Sequence, residues 1–135
     1  MYNNILVAVA YDETRDRAAA FDVARTLADE GAVITALHVL EDIPVHVAHY
    51  IPVEQAEAGR AEALARLKAD LGGVTDVRPV VVQGNPGARI VEYAAQHEID
   101  CIIIASHRPG LADYVLGSTA SRVVRHAKCS VHVLR

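Results

Sequence analysis

Cys101-Ile-Ile-Ile-Ala105 is the stretch that decides the fold, because it is short and apolar at every position. A strand covered on one face alternates apolar and polar residues, whereas a strand covered on both faces reads as a continuous apolar run. Four further blocks rich in Val, Ile and Leu, most of them also continuous, occupy residues 5–10, 33–40, 77–82 and 131–134. The sequence therefore predicts five parallel strands between two layers of helices.

Segments between these strands have the period of amphipathic helices, with apolar residues three or four positions apart. We predict helices over residues 15–30 and 54–71, a third from Pro86, and a fourth from Ser118-Thr119, which are natural capping residues. Gly31 and Gly72-Gly73 would end the first two helices. The predicted buried stripes are Ala20, Phe21, Ala24 and Leu27; Ala61, Leu64, Leu67 and Leu71; Ile90, Val91 and Ala94; and Ala120, Val123 and Val124.

The regular alternation of strands and helices predicts one doubly wound, three-layer α/β/α domain over residues 1–135. We expect a five-stranded parallel sheet with strand order 3-2-1-4-5. In such a sheet the ligand crevice opens beyond the carboxyl ends of the strands, at the point where the strand order reverses. Here that point lies between strands one and four.

Composition argues against several classes of protein. The apolar runs are about five residues long, whereas a membrane helix needs roughly 20. Met1-Tyr2-Asn3-Asn4 lacks the basic region of a signal peptide, so we expect a cytoplasmic protein. A net charge of −4, with no basic stripe, no Trp and one Phe, argues against nucleic acid as a partner. Cys101 and Cys129 are predicted to be ordinary buried thiols.

The segment after the fourth strand, residues 106–117, carries the main indication of a ligand. Gly117-Ser118-Thr119 at the start of a helix would present backbone N–H groups, two hydroxyls and the positive helix end to one point, which suits a phosphate. Arg108 could add a charge-assisted contact. The same pattern is more often only a helix cap, so the residues alone leave both interpretations open.

Three stretches near the carboxyl end carry a family resemblance: Ile102-Ile-Ile-Ala-Ser-His-Arg-Pro-Gly110, Tyr114-Val-Leu-Gly-Ser-Thr-Ala120 and Val123-Val-Arg-His-Ala-Lys-Cys-Ser-Val-His-Val-Leu-Arg135. They resemble the signature of the universal stress protein family, in the subtype with Ala-Ser-His-Arg-Pro in this loop. The opening Asn3-Asn-Ile-Leu-Val-Ala-Val9, Leu37-His38-Val39 and the pair Gly84 and Pro86 are similar to the family as well. The resemblance therefore covers the entire chain.

The resemblance implies an adenine nucleotide alpha hydrolase-like fold and a stress-response homodimer or tetramer that pairs through its last strand. It also implies a bound adenine nucleotide, ATP with or without Mg²⁺. The resemblance carries over Val39, whose backbone edge would meet the adenine, Gly117, Ser118 and Thr119 at the phosphates, and Ser106, His107 and Arg108 across them. The remaining candidate positions are Ala10, Asp12 and Ala105.

Two departures from the family pattern bear on nucleotide binding. The family has glycine at the position of Ala105 and again near Arg108, and the spacing to Gly117 is one residue shorter here. The family also commonly ends strand one with an aspartate, where this chain has Ala10, with Asp12 two residues further on. Either Asp12 compensates or the ribose contact is lost.

Three functions remain open at this stage. The first is a regulatory homodimer that binds ATP. The second is a nucleotide-free interaction module that acts through its dimer surface and the apolar segment 41–53, which could equally complete the core. The third is an ATPase, which at most hydrolyses slowly, since neither a P-loop lysine nor a clear pair of magnesium carboxylates can be named.

Other catalytic or metal chemistry is disfavoured by spacing. His46 and His49 are three residues apart but have no third ligand in view. Ser106 and His107 are adjacent, so their side chains would point apart on an extended loop, and no nucleophile elbow surrounds them. We therefore expect no catalytic residue and no resident metal. The protein partner cannot be named from the sequence.

Overall fold

The computed structural model describes residues 1–10, 14–42, 45–106 and 116–135, and the elements below are those of these ranges. The strands are β1 Tyr2–Ala8, β2 Ala28–Leu40, β3 Val77–Gln83, β4 Cys101–Ala105 and β5 Ser130–Leu134. The helices are α1 Thr14–Leu27, α2 Val45–Ala48, α3 Val53–Asp70, α4 Pro86–Gln96 and α5 Ser118–His126. All strand pairs are parallel and their order is β3-β2-β1-β4-β5. The predicted fold class and strand order are confirmed.

The centre of the sheet is buried on both faces, as the continuous apolar run of β4 predicted. In β4, Cys101 and Ile103 join a core cluster that includes Phe21 of α1, while Ile102 and Ile104 join a second cluster with helices α4 and α5. Each of these four β4 side chains is at most 5% exposed. Successive side chains of a strand point to opposite faces, so a strand between two helix layers must be apolar throughout.

The strand order reverses at β1, which positions the expected crevice. β1 pairs with β2 on one side, where Leu6 is opposite Thr35, and with β4 on the other, where Leu6 is opposite Ile102. The chain therefore leaves β1 toward one half of the sheet and leaves β4 toward the other. The carboxyl ends of β1 and β4 therefore flank the position at which this topology predicts a crevice, which is called the crevice below.

The first helix was predicted too long, and the strands on either side of it also differ from their predicted bounds. α1 ends at Leu27, three residues before the predicted end, and β2 begins at Ala28. Tyr2 pairs with Ala28, the register shifts before Asn4 pairs with Val33, and Gly31 has φ +79° in this irregular part. Gly31, which we predicted to end the helix, therefore lies in an irregular part of a strand instead. β1 correspondingly spans residues 2–8 instead of 5–10.

Two predicted stripe residues face solvent. Ala61 is exposed, and the buried row of α3 runs through Ala63 and Leu67 to Leu71 just beyond the helix. The predicted row through Ala61 and the observed row through Ala63 both have apolar residues at helical spacing. Only the packing against the sheet therefore decides which row is buried. Val124 is 44% exposed while Val123 is fully buried, because adjacent residues of a helix lie about 100° apart.

The segment 41–53 contains the short helix α2, which was not predicted. Val47, Tyr50 and Val53 are exposed, with Tyr50 at 85% of its full accessibility. Neither core cluster contains a residue from the described part of this segment. That part therefore presents apolar side chains to solvent and does not complete the core.

The two cysteines are free thiols on opposite faces of the sheet. Burial raises the pKa of the Cys101 thiol to about 11, and burial likewise raises the pKa of Cys129, which is only half-buried. The neutral thiol is therefore the form present near neutral pH. None of the helices in the described ranges is long and apolar enough to cross a membrane.

Gly84 joins the end of β3 to α4 in a conformation that favours glycine. Its φ is +142°, its N–H donates to the carbonyl of Leu40 at 2.8 Å, and an added Cβ would lie 2.7 Å from Cγ of Arg89. The turn therefore places the start of α4 beside the end of β2 only if residue 84 has no side chain.

We predict that Gly84→Ala lowers the free energy of unfolding by about 1–3 kcal/mol, because the backbone becomes strained and the Arg89 stem must move. Urea denaturation followed by circular dichroism measures the change. Gly59→Ala is the matched control, since Gly59 lies in α3 with nothing within 4 Å of the new Cβ. The control should be neutral or slightly stabilising, and an equal loss in both variants would contradict the prediction.

Candidate functional site

The carboxyl end of β1 is anchored to β2 immediately before Ala10. The Val9 N–H donates to the carbonyl of Leu37 at 2.9 Å. Nδ1 of His38 lies 2.8 Å from the carbonyl oxygen of Val9, so this ring nitrogen must carry the proton and donate it. Ala10 thus leaves the sheet from a fixed position at the crevice.

Val39 has a buried side chain and a backbone directed toward the crevice. Its side chain is 8% exposed and belongs to the core cluster that includes Ile90. Backbone groups alternate sides along a strand, so the N–H and C=O of Val39 point to the same side as those of Leu37, toward β1. The β1–β2 pairing ends at Ala8 opposite Leu37. Any contact of Val39 with a ligand must therefore be made through its backbone, as predicted for the adenine contact.

Ser106 connects β4, β5 and α5 through its backbone. Its N–H donates to the carbonyl of Leu134 at 2.7 Å, and its own carbonyl accepts from the Gly117 N–H at 2.7 Å. The residue is only 3% exposed. Ala105, the preceding candidate, is the last residue of β4 and pairs with Leu134. The Gly117 N–H is therefore engaged, and it does not belong to the free N–H groups that we expected at the phosphate end.

The N-cap of α5 lies one residue before the predicted capping residues Ser118 and Thr119. Gly117 is the N-cap, with φ −61° and ψ 160°, and no side-chain hydrogen bond caps the helix. Ser118 and Thr119 are the first two helical residues, not the caps. The first backbone bond of the helix runs from the Ser121 N–H to the Gly117 carbonyl at 2.9 Å. Helix geometry therefore supplies no acceptor for the N–H groups of Ser118, Thr119 and Ala120.

These N–H groups lie with the hydroxyls of Ser118 and Thr119 at the positive end of α5, and such an arrangement can bind an anion. Ser118 is exposed and Thr119 is half-buried, so both residues are accessible to solvent at this end of the helix. Asp12, His107 and Arg108 lie outside the described residues. Their roles toward ribose and phosphate stay predictions.

A separate cavity of about 370 Å³ lies between α1 and α3. Its lining includes apolar side chains of Phe21, Leu67 and Leu71. Its charged rim is internally compensated, since Arg17 pairs with Asp70 at 2.8 Å and Arg25 pairs with Asp76, just outside the lining, at 2.9 Å. The hydrogen bond from Arg25 also lowers the pKa of the Asp76 carboxyl. The arginines that line this cavity therefore have carboxylate partners and offer no unpaired positive charge to a phosphate.

The role of His38 in shaping the site was not predicted from the sequence. Its signal was a single polar residue in the apolar stretch Leu37-His38-Val39, which we noted only as part of a resemblance. No group of three or more potential metal ligands occurs among the residues that the structure describes. The expectation that the chain holds no resident metal stays a prediction.

Comparison with known proteins decides the family. The family model described as "Universal stress protein family" matches residues 1–135. The chain belongs to the universal stress protein family. A curated relative from Thermus aquaticus, "Universal stress protein in QAH/OAS sulfhydrylase 3'region", is 30% identical, with 100% of both chains covered. This membership confirms the family resemblance, although the loop subtype is not tested by it.

Solved structures agree with this assignment. The universal stress protein UspA from Lactobacillus plantarum is similar with a TM-score of 0.68 and 32% identity, covering 99% of this chain and 98% of that one. Two further neighbours share the fold at lower identity. One is a universal stress protein in complex with cAMP, at TM-score 0.57 and 23% identity over 99% of this chain and 97% of that one. The other is the Archaeoglobus fulgidus universal stress protein in complex with dAMP. It has a TM-score of 0.58 and 20% identity, covering 99% of this chain and 98% of that one.

We predict that His38→Phe lowers the free energy of unfolding by about 1 kcal/mol, because the Val9 carbonyl loses its donor while the ring volume is kept. The measurement is urea denaturation, with His49→Phe as the control, since His49 is exposed. A loss of the same size in the His49 variant, or none in the His38 variant, would refute the anchoring role of His38.

Proposed function

We propose that this protein binds an adenine nucleotide, ATP in the first place, across the carboxyl edge of the sheet. The observation that carries the proposal is the start of α5, where three consecutive N–H groups have no intrahelical acceptor and no side chain caps the helix. Such a helix end holds phosphate through hydrogen bonds and through its dipole.

The Val39 backbone supplies a second part of the same site. Its N–H and C=O point toward β1 where the β1–β2 pairing stops, and a donor and an acceptor in that arrangement fit the edge of an adenine base. The two contacts lie on opposite sides of the point where the strand order reverses, so a nucleotide would span the crevice. The solved neighbours with cAMP and dAMP make adenine nucleotides the first ligands to test.

In this proposal the protein's own residues bind and orient the nucleotide and perform no chemistry on it. Bound Mg²⁺ would screen the charge of the phosphates when ATP is the ligand. We therefore propose a regulatory, stress-response role in which nucleotide occupancy changes the state of the protein.

The second candidate function is a nucleotide-free interaction module. The exposed apolar side chains of Val47, Tyr50 and Val53 favour it, because such a group of side chains suits a protein partner. The departures at Ala10 and Ala105 favour it as well. Nucleotide titration separates the two candidates directly.

We predict that the Gly117→Val, Ser118→Glu double variant loses ATP binding by at least about 10-fold, because a carboxylate at the helix start repels the phosphates. Isothermal titration with Mg²⁺-ATP on protein stripped of co-purified nucleotide measures it, after circular dichroism has shown the variant to be folded. Gln55→Glu is the control, since it adds the same charge to the first turn of α3, where Gln55 is exposed.

The control should bind ATP like the wild type. Absence of binding by the stripped wild type would overturn the proposal and favour the nucleotide-free module. Equal binding by the wild type and the double variant would show that the phosphates do not lie at α5.

We further propose that the protein is a homodimer that pairs through β5. The sheet has two edges, and β3 contains Pro79, which lacks the N–H that strand pairing requires. β5, Ser130–Leu134, contains no proline. Its Leu134 carbonyl accepts from Ser106 of the neighbouring segment, so by alternation the backbone groups of Val131 and Val133 point outward. Those groups are available to a second copy.

We predict that Val133→Pro converts the dimer to a monomer, because it removes an outward N–H and leaves the bonds to β4 intact. Light scattering coupled to size-exclusion chromatography measures the mass. Val133→Ala is the control for lost side-chain volume and should remain dimeric. A Val133→Pro variant that is still dimeric would exclude pairing through β5.

A further inference from the structure

Arg122 lies one helical turn beyond the phosphate end of the proposed site. It is four residues after Ser118, so the two side chains share one face of α5, about 6 Å apart along the axis. Long side chains of a helix lean back toward its amino end. Arg122 therefore extends along the face that carries the Ser118 hydroxyl.

The neighbouring helix holds the stem of Arg122 in place. A Cβ added to Gly87 would lie 2.9 Å from Cδ and 3.0 Å from Cβ of Arg122. Gly87 is the second residue of α4, which directly follows Asn85 at the amino end of that helix. Since α4 follows β3 and α5 follows β4, both helices begin at the carboxyl edge of the sheet. The Arg122 stem therefore crosses between two helix starts at the edge where the crevice opens.

The charge of Arg122 is uncompensated within the described ranges. Arg17, Arg25 and Arg89 each have a carboxylate partner within 4.0 Å, whereas no such partner of Arg122 occurs there. The Arg122 side chain is exposed. In addition, residues 117–135 contain four Arg or Lys residues and no Asp or Glu, although the whole chain has a net charge of −4. The segment that contains α5 is thus basic, within an acidic protein.

We propose that Arg122 is a specificity-determining residue, which binds a phosphate group beyond the one held by Ser118 and Thr119. This inference rests on the proposed nucleotide binding and names its substrate class, adenine nucleotides with two or more phosphates. A guanidinium held by its stem loses little freedom when it binds a phosphate, and its fork of donors fits the phosphate oxygens. A monophosphate is too short to use it.

The test is isothermal titration of ATP and of AMP into stripped wild type, Arg122→Met and Arg125→Met at one ionic strength. Methionine keeps an unbranched apolar stem and removes the charge. Arg122→Met should weaken ATP binding about 10-fold or more and AMP binding less than about 2-fold, since a charge-assisted contact has that effect. Arg125→Met removes the same charge one turn further from the site and should change neither by more than about 2-fold.

The outcomes separate this inference from the proposed function. If the wild type binds no adenine nucleotide, both the proposed function and the role of Arg122 are overturned. If it binds ATP and AMP, but Arg122→Met weakens the two equally or not at all, only the role of Arg122 is overturned. An equal effect of Arg125→Met on ATP would likewise overturn it, because the general charge of α5 would then account for the preference.

Discussion

Burial of the central strands on both faces is the constraint on which the rest of this structure depends. β1 and β4 lie between two apolar layers, with Leu6, Ile102 and Ile103 fully removed from solvent. Strands in that position cannot carry polar functional side chains along their length. Binding groups are therefore confined to the edge where the strands end and the helices begin, and the reversal of strand order leaves room there for a ligand.

Backbone groups provide most of the contacts proposed at that edge. Ser106 fixes the start of α5 to the ends of β4 and β5, and His38 fixes the end of β1 to β2. With these anchors in place, the N–H groups of α5 that lack an intrahelical acceptor and the backbone of Val39 have fixed positions in the folded protein, as the proposed contacts require. A site built from backbone tolerates changes of side chain, which is consistent with a family member that departs from the pattern at Ala10 and Ala105.

Much of the fold could be predicted from local sequence, and the site only in part. The uninterrupted apolar run at 101–105 indicates a doubly buried strand by itself. The predicted end of α1 was wrong because residues 28–30 fit a helix locally, and only the pairing of Ala28 with Tyr2 of β1 shows that β2 begins there. The bond between His38 and Val9, and the packing of Arg122 on Gly87, join residues far apart in sequence. No pattern within one segment reveals such contacts, so they required the structure.

The most direct test of the account is to map where ATP binds by following backbone amide resonances in ¹⁵N-labelled protein during a titration. Binding across the carboxyl edge of the sheet predicts the largest shifts at Ser118, Thr119 and Ala120, with a second group at Val39 and its neighbours. Largest shifts along the cavity between α1 and α3, for example at Ala18 and Leu71, would contradict it. A titration that moves no resonance would contradict nucleotide binding altogether.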